Sequence, residues 1–247
     1  MSKQTIFGLH AVQSLLKSSP ERILEILILQ GRQDQRMQKV IDAAKAQDIP
    51  ISEKPRKTLD KMVEDGNHQG VIAIANPGKA FTENDLFGLL DNLGDTPPFL
   101  LVLDGITDPH NLGACIRTAD AAGVHAVIIP KDNSAGMSEV VRKVACGAAD
   151  TVPLIPVTNL ARSLQELQER GLWLVGTAGD VEKSIYQAPL TGPLVVVMGA
   201  EGSGMRRLTR EQCDHLAFIP MAGSVTSLNV SVATGICLFE AVRQRNS

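Results

Sequence analysis

The sequence predicts an α/β protein in which residues 99–247 form an open, mostly parallel sheet covered by helices. Two observations support this fold class. Beyond residue 98, short apolar runs alternate with segments that have helical spacing. The apolar runs are nearly unbroken stretches of Val, Ile and Leu, which is typical of parallel strands that helices cover on both faces.

The predicted sheet has six strands, each an apolar run bounded by turn residues. These runs are residues 99–104, 125–130, 152–156, 172–177, 194–198 and 216–220.

Helices are predicted between the strands at residues 111–122, 138–149 and 159–170, and glycines follow the first and the third. A last helix is predicted at residues 227–245, with Ser227 as a natural N-cap and arginines in its final turn. One stripe of this helix is apolar, and we expect it to pack against the core. The stripe comprises Leu228, Val232, Ile236, Phe239 and Val242.

Residues 1–75 are predicted to form a separate, small α/β unit. Its predicted helices are residues 9–17, 33–47 and 58–64, and its predicted strands are 23–29, 49–52 and 71–75. Residues 76–98 are predicted to be a linker, because they open with Asn-Pro-Gly and close with a Gly-Asp-Thr-Pro-Pro stretch. A short helix fits within the linker at residues 86–93.

Composition limits the classes of function. The formal net charge is −3 and the pI is about 6.0, so an RNA-binding surface would have to be a local basic patch. Aromatic residues make up 3% of the chain, which disfavours a binder that stacks many bases on rings. Three basic groups are candidates, although each is equally explained as a solvated helix face. They are Arg142 with Lys143; Arg206, Arg207 and Arg210; and Lys54, Arg56, Lys57 and Lys61.

The four cysteines do not form a C-x-x-C pair or lie at a metal-binding spacing from histidine, so we expect neither a metal site nor a disulfide framework. No apolar run reaches the roughly 18 residues of a membrane span, and the N-terminal residues do not resemble a signal peptide. We therefore expect a cytoplasmic protein without a membrane partner.

Polar residues follow the first predicted strand, where ligands of open α/β sheets commonly bind. Asn111 begins the next predicted helix and Arg117 lies near its middle. The glycine fingerprint of dinucleotide-binding enzymes is missing at this point, which disfavours a nicotinamide-dependent dehydrogenase. Asn111 alone could be a helix cap and Arg117 a surface residue.

Glycine-rich or small polar loops follow the fourth, fifth and sixth strands. Residues 176–179 read Gly-Thr-Ala-Gly, and residues 198–204 contain three glycines around Glu201. The loop after the sixth strand leads to Ser227 and Asn229. Glycines let the backbone approach a ligand closely, and a turn by itself does not require a carboxylate. Together with Asn111 and Arg117, these loops predict a ligand site.

Three ungapped blocks, residues 108–117, 198–204 and 219–233, resemble the signature motifs of the SpoU branch of the SPOUT methyltransferases. The resemblance covers residues 98–247. Residues 7–12 and 68–71 also resemble the ribosomal-protein-like RNA-binding module that precedes the catalytic domain in many members.

The resemblance implies a C-terminal α/β domain tied in a trefoil knot, with S-adenosylmethionine bent in the knot. It implies a homodimer with the acceptor ribose near the subunit interface, and no metal. The implied reaction methylates the ribose 2′-hydroxyl of a guanosine in the peptidyl-transferase P loop of 23S rRNA. The cofactor-binding residues implied are Thr177, Gly199, Ala200, Gly202, Ile219, Met221 and Leu228.

The resemblance also implies a catalytic group. Arg117 is its central residue, and we expect an electrostatic role because a guanidinium stays protonated. Asn111 would orient Arg117 or the ribose, and Glu201, Ser227 and Asn229 would complete the polar shell. Which residue takes the proton stays open.

Alternatives remain for the substrate and for the class of protein. Within the family, the alternative is a tRNA ribose 2′-O-methyltransferase. Outside it, the alternative is a non-catalytic RNA-binding protein of ribosome assembly. The implied RNA partner is 23S rRNA, either naked or within a large-subunit assembly intermediate.

Overall fold

The computed structural model describes residues 3–63, 66–78 and 80–247, which fall into two compact units. The smaller unit extends to Ala80 and includes Cys146–Thr151, and the larger unit comprises Phe81–Ala145 and Val152–Ser247. The end of the predicted helix at Glu64 and one residue of the predicted linker, Lys79, lie outside the described residues.

Within its described residues, the smaller unit contains a four-stranded sheet and three α-helices. Its elements are β1 (Gln4–Phe7), α1 (Leu9–Ser18), β2 (Ile23–Leu29), α2 (Gln35–Lys45), β3 (Ile51–Lys54), α3 (Arg56–Met62) and β4 (Val71–Ala75). The strand order is β1-β4-β2-β3, with β2 and β3 parallel and the other pairs antiparallel. The sequence did not predict β1, a short strand with only one fully buried residue, Ile6.

Helices cover both faces of this sheet. On one face, α1 and α2 bury Leu15 and Met37 against Ile26. On the other face, Leu59 of α3 packs with Leu27 and its neighbours on the sheet. The side chain of Asp34 caps α2 by accepting hydrogen bonds from the first-turn amides.

The larger unit contains a six-stranded sheet and six helices in the part of the chain that the structure describes. Its strands are β5 (Phe99–Asp104), β6 (Ala126–Pro130), β7 (Leu154–Val157), β8 (Trp173–Thr177), β9 (Leu194–Gly199) and β10 (His215–Ala217). Its helices are α4 (Glu83–Asp91), α5 (Pro109–Ala121), α6 (Glu139–Ala145), α7 (Leu160–Glu169), α8 (Arg207–Gln212) and α9 (Val230–Arg245).

All neighbouring strands of the larger sheet are parallel, in the order β10-β8-β9-β5-β6-β7. This confirms the predicted parallel α/β fold class. Every residue of β5 is buried, as expected for a central strand covered on both faces. From β5 the chain builds the sheet outward through β6 and β7, and it later returns to the other side of β5 with β9. The strand order therefore reverses between β5 and β9, where open α/β sheets form ligand clefts.

The two faces of this sheet are covered by different helices. Leu86 of α4 and Leu164 of α7 pack on the face that includes Leu100 and Val102. On the opposite face, α5 packs against α6 and α9. Helix α4 lies within the stretch predicted to be a linker, and its buried Leu86 belongs to the core of the larger unit.

Several predicted helix ends were wrong. Helix α6 ends at Ala145 instead of residue 149, because Cys146 and Gly147 adopt left-handed backbone conformations with φ of 52° and 96°. Helix α5 begins two residues early, at Pro109, and Asp108 caps it instead of Asn111. Helix α9 begins at Val230 with Asn229 as its N-cap, so the prediction that Ser227 caps this helix was wrong.

The predicted core stripe of the last helix was also wrong. The buried positions of α9 include Val230, Thr234 and Cys237. Val232 is 52% exposed and Phe239 is 50% exposed, so the predicted stripe faces outward. The helix has apolar residues on more than one face, and periodicity alone selected the wrong one. Within the described residues, no helix is both long and apolar enough to cross a membrane.

Candidate functional site

The loops predicted to form a site follow adjacent strands. The sheet order places β10, β8, β9 and β5 side by side, and their parallel direction brings their carboxyl ends to one edge. Thr177 is the last residue of β8, the loop after β9 contains Glu201, and the segment after β10 leads to Asn229. Together with Asn111 on the helix after β5, the sheet gathers residues that are up to 118 positions apart in the chain.

The loop after β9 is a tight turn that folds back on its own strand. Ala200 and Gly204 exchange two backbone hydrogen bonds of 3.1 and 2.9 Å. A Cβ atom on Gly199 would lie 2.3 Å from the backbone of Gly204 and Met205, so only glycine permits this close approach. Glu201 is the first residue of the turn and is exposed.

The carboxylate of Glu201 connects the loop with two helix starts. Its Oε1 accepts hydrogen bonds from Asn229 Nδ2 at 2.7 Å, from the Val230 backbone N–H at 3.0 Å and from Asn111 Nδ2 at 3.5 Å. Asn229 Nδ2 also donates to Asn111 Oδ1 at 2.9 Å. We call Asn111, Glu201 and Asn229 the polar cluster. The structure thus brings together three of the five predicted catalytic residues.

Packing between α5 and α9 holds the two helix starts in place. Cys115 Sγ lies 3.6 Å from Thr234 Oγ1, and both side chains are buried. Burial raises the pKa of the Cys115 thiol to about 11, so this thiol is a packing group and a weak donor. The packed helices therefore fix the positions of Asn111 and Asn229, whose side-chain amides form a hydrogen bond.

Arg117 is exposed on α5, six residues after Asn111. That separation is about 9 Å along a helix axis, at a rise of roughly 1.5 Å per residue. Ser227 is exposed in the loop before Asn229. Arg117 and Ser227 therefore lie close in sequence to members of the polar cluster, whereas the hydrogen bonds of the cluster are made by Asn111, Glu201 and Asn229.

The predicted cofactor loops have room for a bound molecule. A Cβ atom on Gly179, Gly202 or Gly223 would meet no atom within 4 Å. Thr177 Oγ1 donates to the Val197 carbonyl at 3.4 Å, which connects the end of β8 to β9. Partly buried Ile219, Met221 and Leu228 supply apolar surface. These observations show that the glycine positions are open and that apolar side chains lie in the following segment.

The three arginines at residues 206, 207 and 210 each form an ion pair with an acidic residue of the larger unit. Arg207 pairs with Glu211 at 2.7 Å, and Arg210 pairs with Asp180 at 2.9 Å. The hydrogen bond from Arg210 lowers the pKa of the Asp180 carboxyl. Arg206 contacts the buried Asp104, a residue that the sequence analysis did not single out. Its only signal was an acidic residue at the end of an otherwise apolar strand.

Among the described residues, no three or more His, Cys, Asp or Glu side chains lie close enough together to hold a metal ion. The hydrogen-bonded part of the site consists of the Asn111 and Asn229 amides and the Glu201 carboxylate.

An open parallel sheet with glycine turns and a polar cluster at its strand-order reversal defines an α/β enzyme domain, here preceded by a small α/β unit. The profile of the SpoU rRNA Methylase family matches residues 98–239. The chain belongs to this family, which confirms the predicted SpoU-type RNA 2′-O-methyltransferase. A second profile, described as RNA 2′-O ribose methyltransferase substrate binding, matches residues 5–80.

Curated relatives match over the full chain. A protein of Pectobacterium atrosepticum named 23S rRNA (guanosine-2′-O-)-methyltransferase RlmB is 62% identical over 242 residues, covering 98% of both chains. The protein of the same name from Escherichia coli K12 is 59% identical over 243 residues, covering 98% of this chain and 99% of its own.

Solved structures of related proteins share the fold. A structure described as an RNA 2′-O ribose methyltransferase has a TM-score of 0.76 at 28% identity, covering 99% of this chain and 90% of its own. The AdoMet-bound rRNA methyltransferase from Sinorhizobium meliloti has a TM-score of 0.75 at 25% identity, covering 98% of this chain and 87% of its own.

Proposed function

We propose that this protein transfers a methyl group from S-adenosylmethionine to the ribose 2′-hydroxyl of a guanosine in the peptidyl-transferase P loop of 23S rRNA. The observation that carries the proposal is the polar cluster, which lies where three glycine-rich or polar loops meet at one sheet edge. The names of the full-length relatives support 23S rRNA over a tRNA substrate.

The proposal divides the work between two parts of the chain. Residues 1–75 bind the RNA substrate, residues 76–98 link the parts, and residues 99–247 carry out methyl transfer. The substrate-binding profile at residues 5–80 and the methylase profile at residues 98–239 support this division. Because 23S rRNA is made and assembled in the bacterial cytoplasm, the protein would act there, on naked 23S rRNA or on a large-subunit assembly intermediate.

When bound, S-adenosylmethionine supplies a methyl group on a positively charged sulfur. Thr177 at the end of β8 and Gly199 at the end of β9 would hold it, together with Ala200 and Gly202 in the loop after β9. Apolar contacts would come from the segment after β10, which contains Ile219, Met221 and Leu228.

The remaining residues would act on the acceptor ribose. Glu201 already accepts three N–H donors through one oxygen, which suits an orienting carboxylate better than a proton acceptor. Asn111 and Asn229 hold that carboxylate, and the exposed Ser227 hydroxyl would complete the shell. Arg117 would bind the acceptor phosphate or stabilise the developing alkoxide through its two-pronged guanidinium.

We also propose that the protein is a homodimer that pairs through the outward apolar face of α9. This face comprises Val232, Ile236 and Phe239, two of which are at least half exposed. Large exposed apolar side chains on one helix face are typical of a protein interface. Helix α9 starts in the polar cluster, so a dimer through it would place the partner close to the acceptor ribose.

Replacing Arg117 by Lys tests the assigned chemistry. Lysine keeps the charge but loses the planar fork, so we expect kcat to fall at least about a hundredfold while cofactor affinity stays within about threefold. Initial rates of tritium transfer from labelled cofactor to 23S rRNA measure kcat, and calorimetry measures cofactor binding.

The matched control is Arg162→Lys, since Arg162 is an exposed arginine on α7 that pairs with Glu83. The control should keep its rate. Near-normal kcat in Arg117→Ala would contradict the central role of this residue.

A further inference from the structure

Asp104 is a buried acidic residue at the edge of the sheet where the site lies. It is the last residue of β5, and its side chain is 0% exposed. Its Oδ2 accepts a hydrogen bond from the backbone N–H of Arg206 at 2.8 Å. Its Oδ1 lies 3.4 Å from Nε of the same arginine. Removing a carboxylate from water is costly, and the two contacts with Arg206 offset only part of this cost, because Oδ1 is buried and accepts no hydrogen bond from the described residues.

The register of the sheet places Asp104 beside the loop that carries Glu201. Asp104 pairs with Gly199 in the parallel ladder of β5 and β9, so the two residues face the same side of the sheet. On that side, the backbone of Gly204 and Met205 lies directly over Gly199. The next residue, Arg206, then reaches the carboxylate of Asp104.

Three contacts therefore close this loop. The backbone bridge between Ala200 and Gly204 closes the loop, and we call these two residues its neck. Gly204 packs closely against Gly199 at the end of β9. Asp104 holds the end of the loop through its hydrogen bond with the backbone of Arg206. Glu201 is the first residue beyond the neck, and it reaches Asn229 at 2.7 Å. A shift at the anchored end would move the neck and would lengthen the hydrogen bonds of Glu201.

We propose that Asp104 is a positioning residue for methyl transfer, which holds the β9 loop so that Glu201 meets Asn229 and Asn111. The inference rests on the proposed function and deepens its account of the site. Asp104 does not need to touch the RNA or the cofactor, because it acts through the backbone of Arg206.

The first test replaces Asp104 by Asn, which keeps the size of the side chain, removes its charge and places an N–H donor against the N–H groups of Arg206. We expect kcat at saturating cofactor and RNA to fall about tenfold to a hundredfold, the range that follows from displacing a reacting group by about 1 Å. The control is Glu240→Gln, since Glu240 is another buried carboxylate of the larger unit, paired with Arg243 on α9. The control should keep kcat within about twofold.

A pair of substitutions at Arg206 tests the hydrogen bond from its backbone N–H to Asp104 and leaves the buried Asp104 side chain unchanged. Arg206 has φ of −60°, which proline adopts readily, and it precedes the first residue of α8. Arg206→Pro removes both the N–H and the guanidinium, whereas Arg206→Ala removes only the guanidinium. The proposal requires Arg206→Pro to be at least about fivefold slower than Arg206→Ala. Equal rates for these two variants would overturn it.

A double-mutant cycle with Glu201→Gln separates positioning from general destabilisation. If Asp104 acts through Glu201, Asp104→Asn will change kcat less than about twofold in the Glu201→Gln background. An equal loss in both backgrounds would mean that Asp104 only stabilises the fold, and wild-type kcat in both Asp104→Asn and Arg206→Pro would exclude a role. These results are distinct from failure of the proposed function, in which the wild-type protein itself would not methylate RNA.

Discussion

Asn229 shows how one side chain serves both structure and site. Its Oδ1 accepts the Ser231 backbone N–H at 2.9 Å and so caps α9. Its Nδ2 donates to both Glu201 and Asn111. The same residue therefore fixes the start of the last helix and the geometry of the polar cluster. Substitution by Ala would remove both, so activity loss in that variant would not separate the two roles.

At the residue scale, sequence reasoning identified the members of the polar cluster but not their arrangement. Asn111, Glu201 and Asn229 were found because they follow strands in recognisable motifs. Ser227 and Asn229 are both good capping residues, and backbone conformation decides between them, which a residue type cannot reveal. Asp104 was missed because its partner, the backbone of Arg206, lies 102 positions away in the chain.

The cysteines provide a residue-scale prediction about the interior. Burial raises the pKa of Cys115 to about 11 and those of Cys213 and Cys237 to about 12, whereas Cys146 is exposed. The thiolate is the reactive form, so at about pH 8 the three high-pKa thiols are in the reactive form for roughly one part in a thousand or less. We expect iodoacetamide to modify one cysteine of the native protein, Cys146, as measured by peptide mass spectrometry.

Protein unfolded in guanidinium is the control for this labelling and should be modified at all four cysteines. Rapid alkylation of Cys115 in the native protein would contradict the packing of α5 against α9.

At the element scale, strands were predicted better than helix ends. The apolar runs of β2, β4 and β5 predict their bounds directly, because a buried strand requires apolar side chains along its whole length. Helix ends depend on single backbone conformations. The left-handed Cys146, which ends α6, is not a residue type that usually adopts such a conformation.

Helix α9 is the element whose face was assigned wrongly, and its outward face yields a prediction. Replacing Phe239 by Asp places a charge within the proposed interface, so we expect the dimer dissociation constant to rise at least about a hundredfold. Sedimentation equilibrium over a range of concentrations measures this constant.

Leu208→Asp is the matched control, since Leu208 is a 54% exposed apolar residue on α8, outside the proposed interface. We expect Leu208→Asp to have the same dimer dissociation constant as the wild type. A wild-type protein that remains monomeric, or a Phe239→Asp variant with unchanged dimerisation, would rule out the proposed α9 interface.

At the scale of the whole molecule, the sequence predicts a parallel sheet but not the order of its strands. Order depends on which side of β5 each crossover returns to, and apolar runs do not encode that choice. The reversal between β5 and β9 is what gathers the loops into one site. The trefoil knot implied by the family resemblance stays a prediction.

Net charge was equally uninformative at this scale. A total charge of −3 does not reveal whether a local basic surface for RNA exists. The arginines at residues 206, 207 and 210 form ion pairs within the larger unit. The family profiles and the motifs carried the assignment to RNA.

The most direct measurement of the central claim is the chemical identity of the methylated product. Purified protein, labelled S-adenosylmethionine and 23S rRNA lacking its methylations are incubated together, and the RNA is digested to nucleosides for mass spectrometry. The account predicts one labelled product, 2′-O-methylguanosine, from the peptidyl-transferase P loop. A label on a base, a label only on tRNA, or no transfer from the intact donor to 23S rRNA or to an assembly intermediate would contradict it.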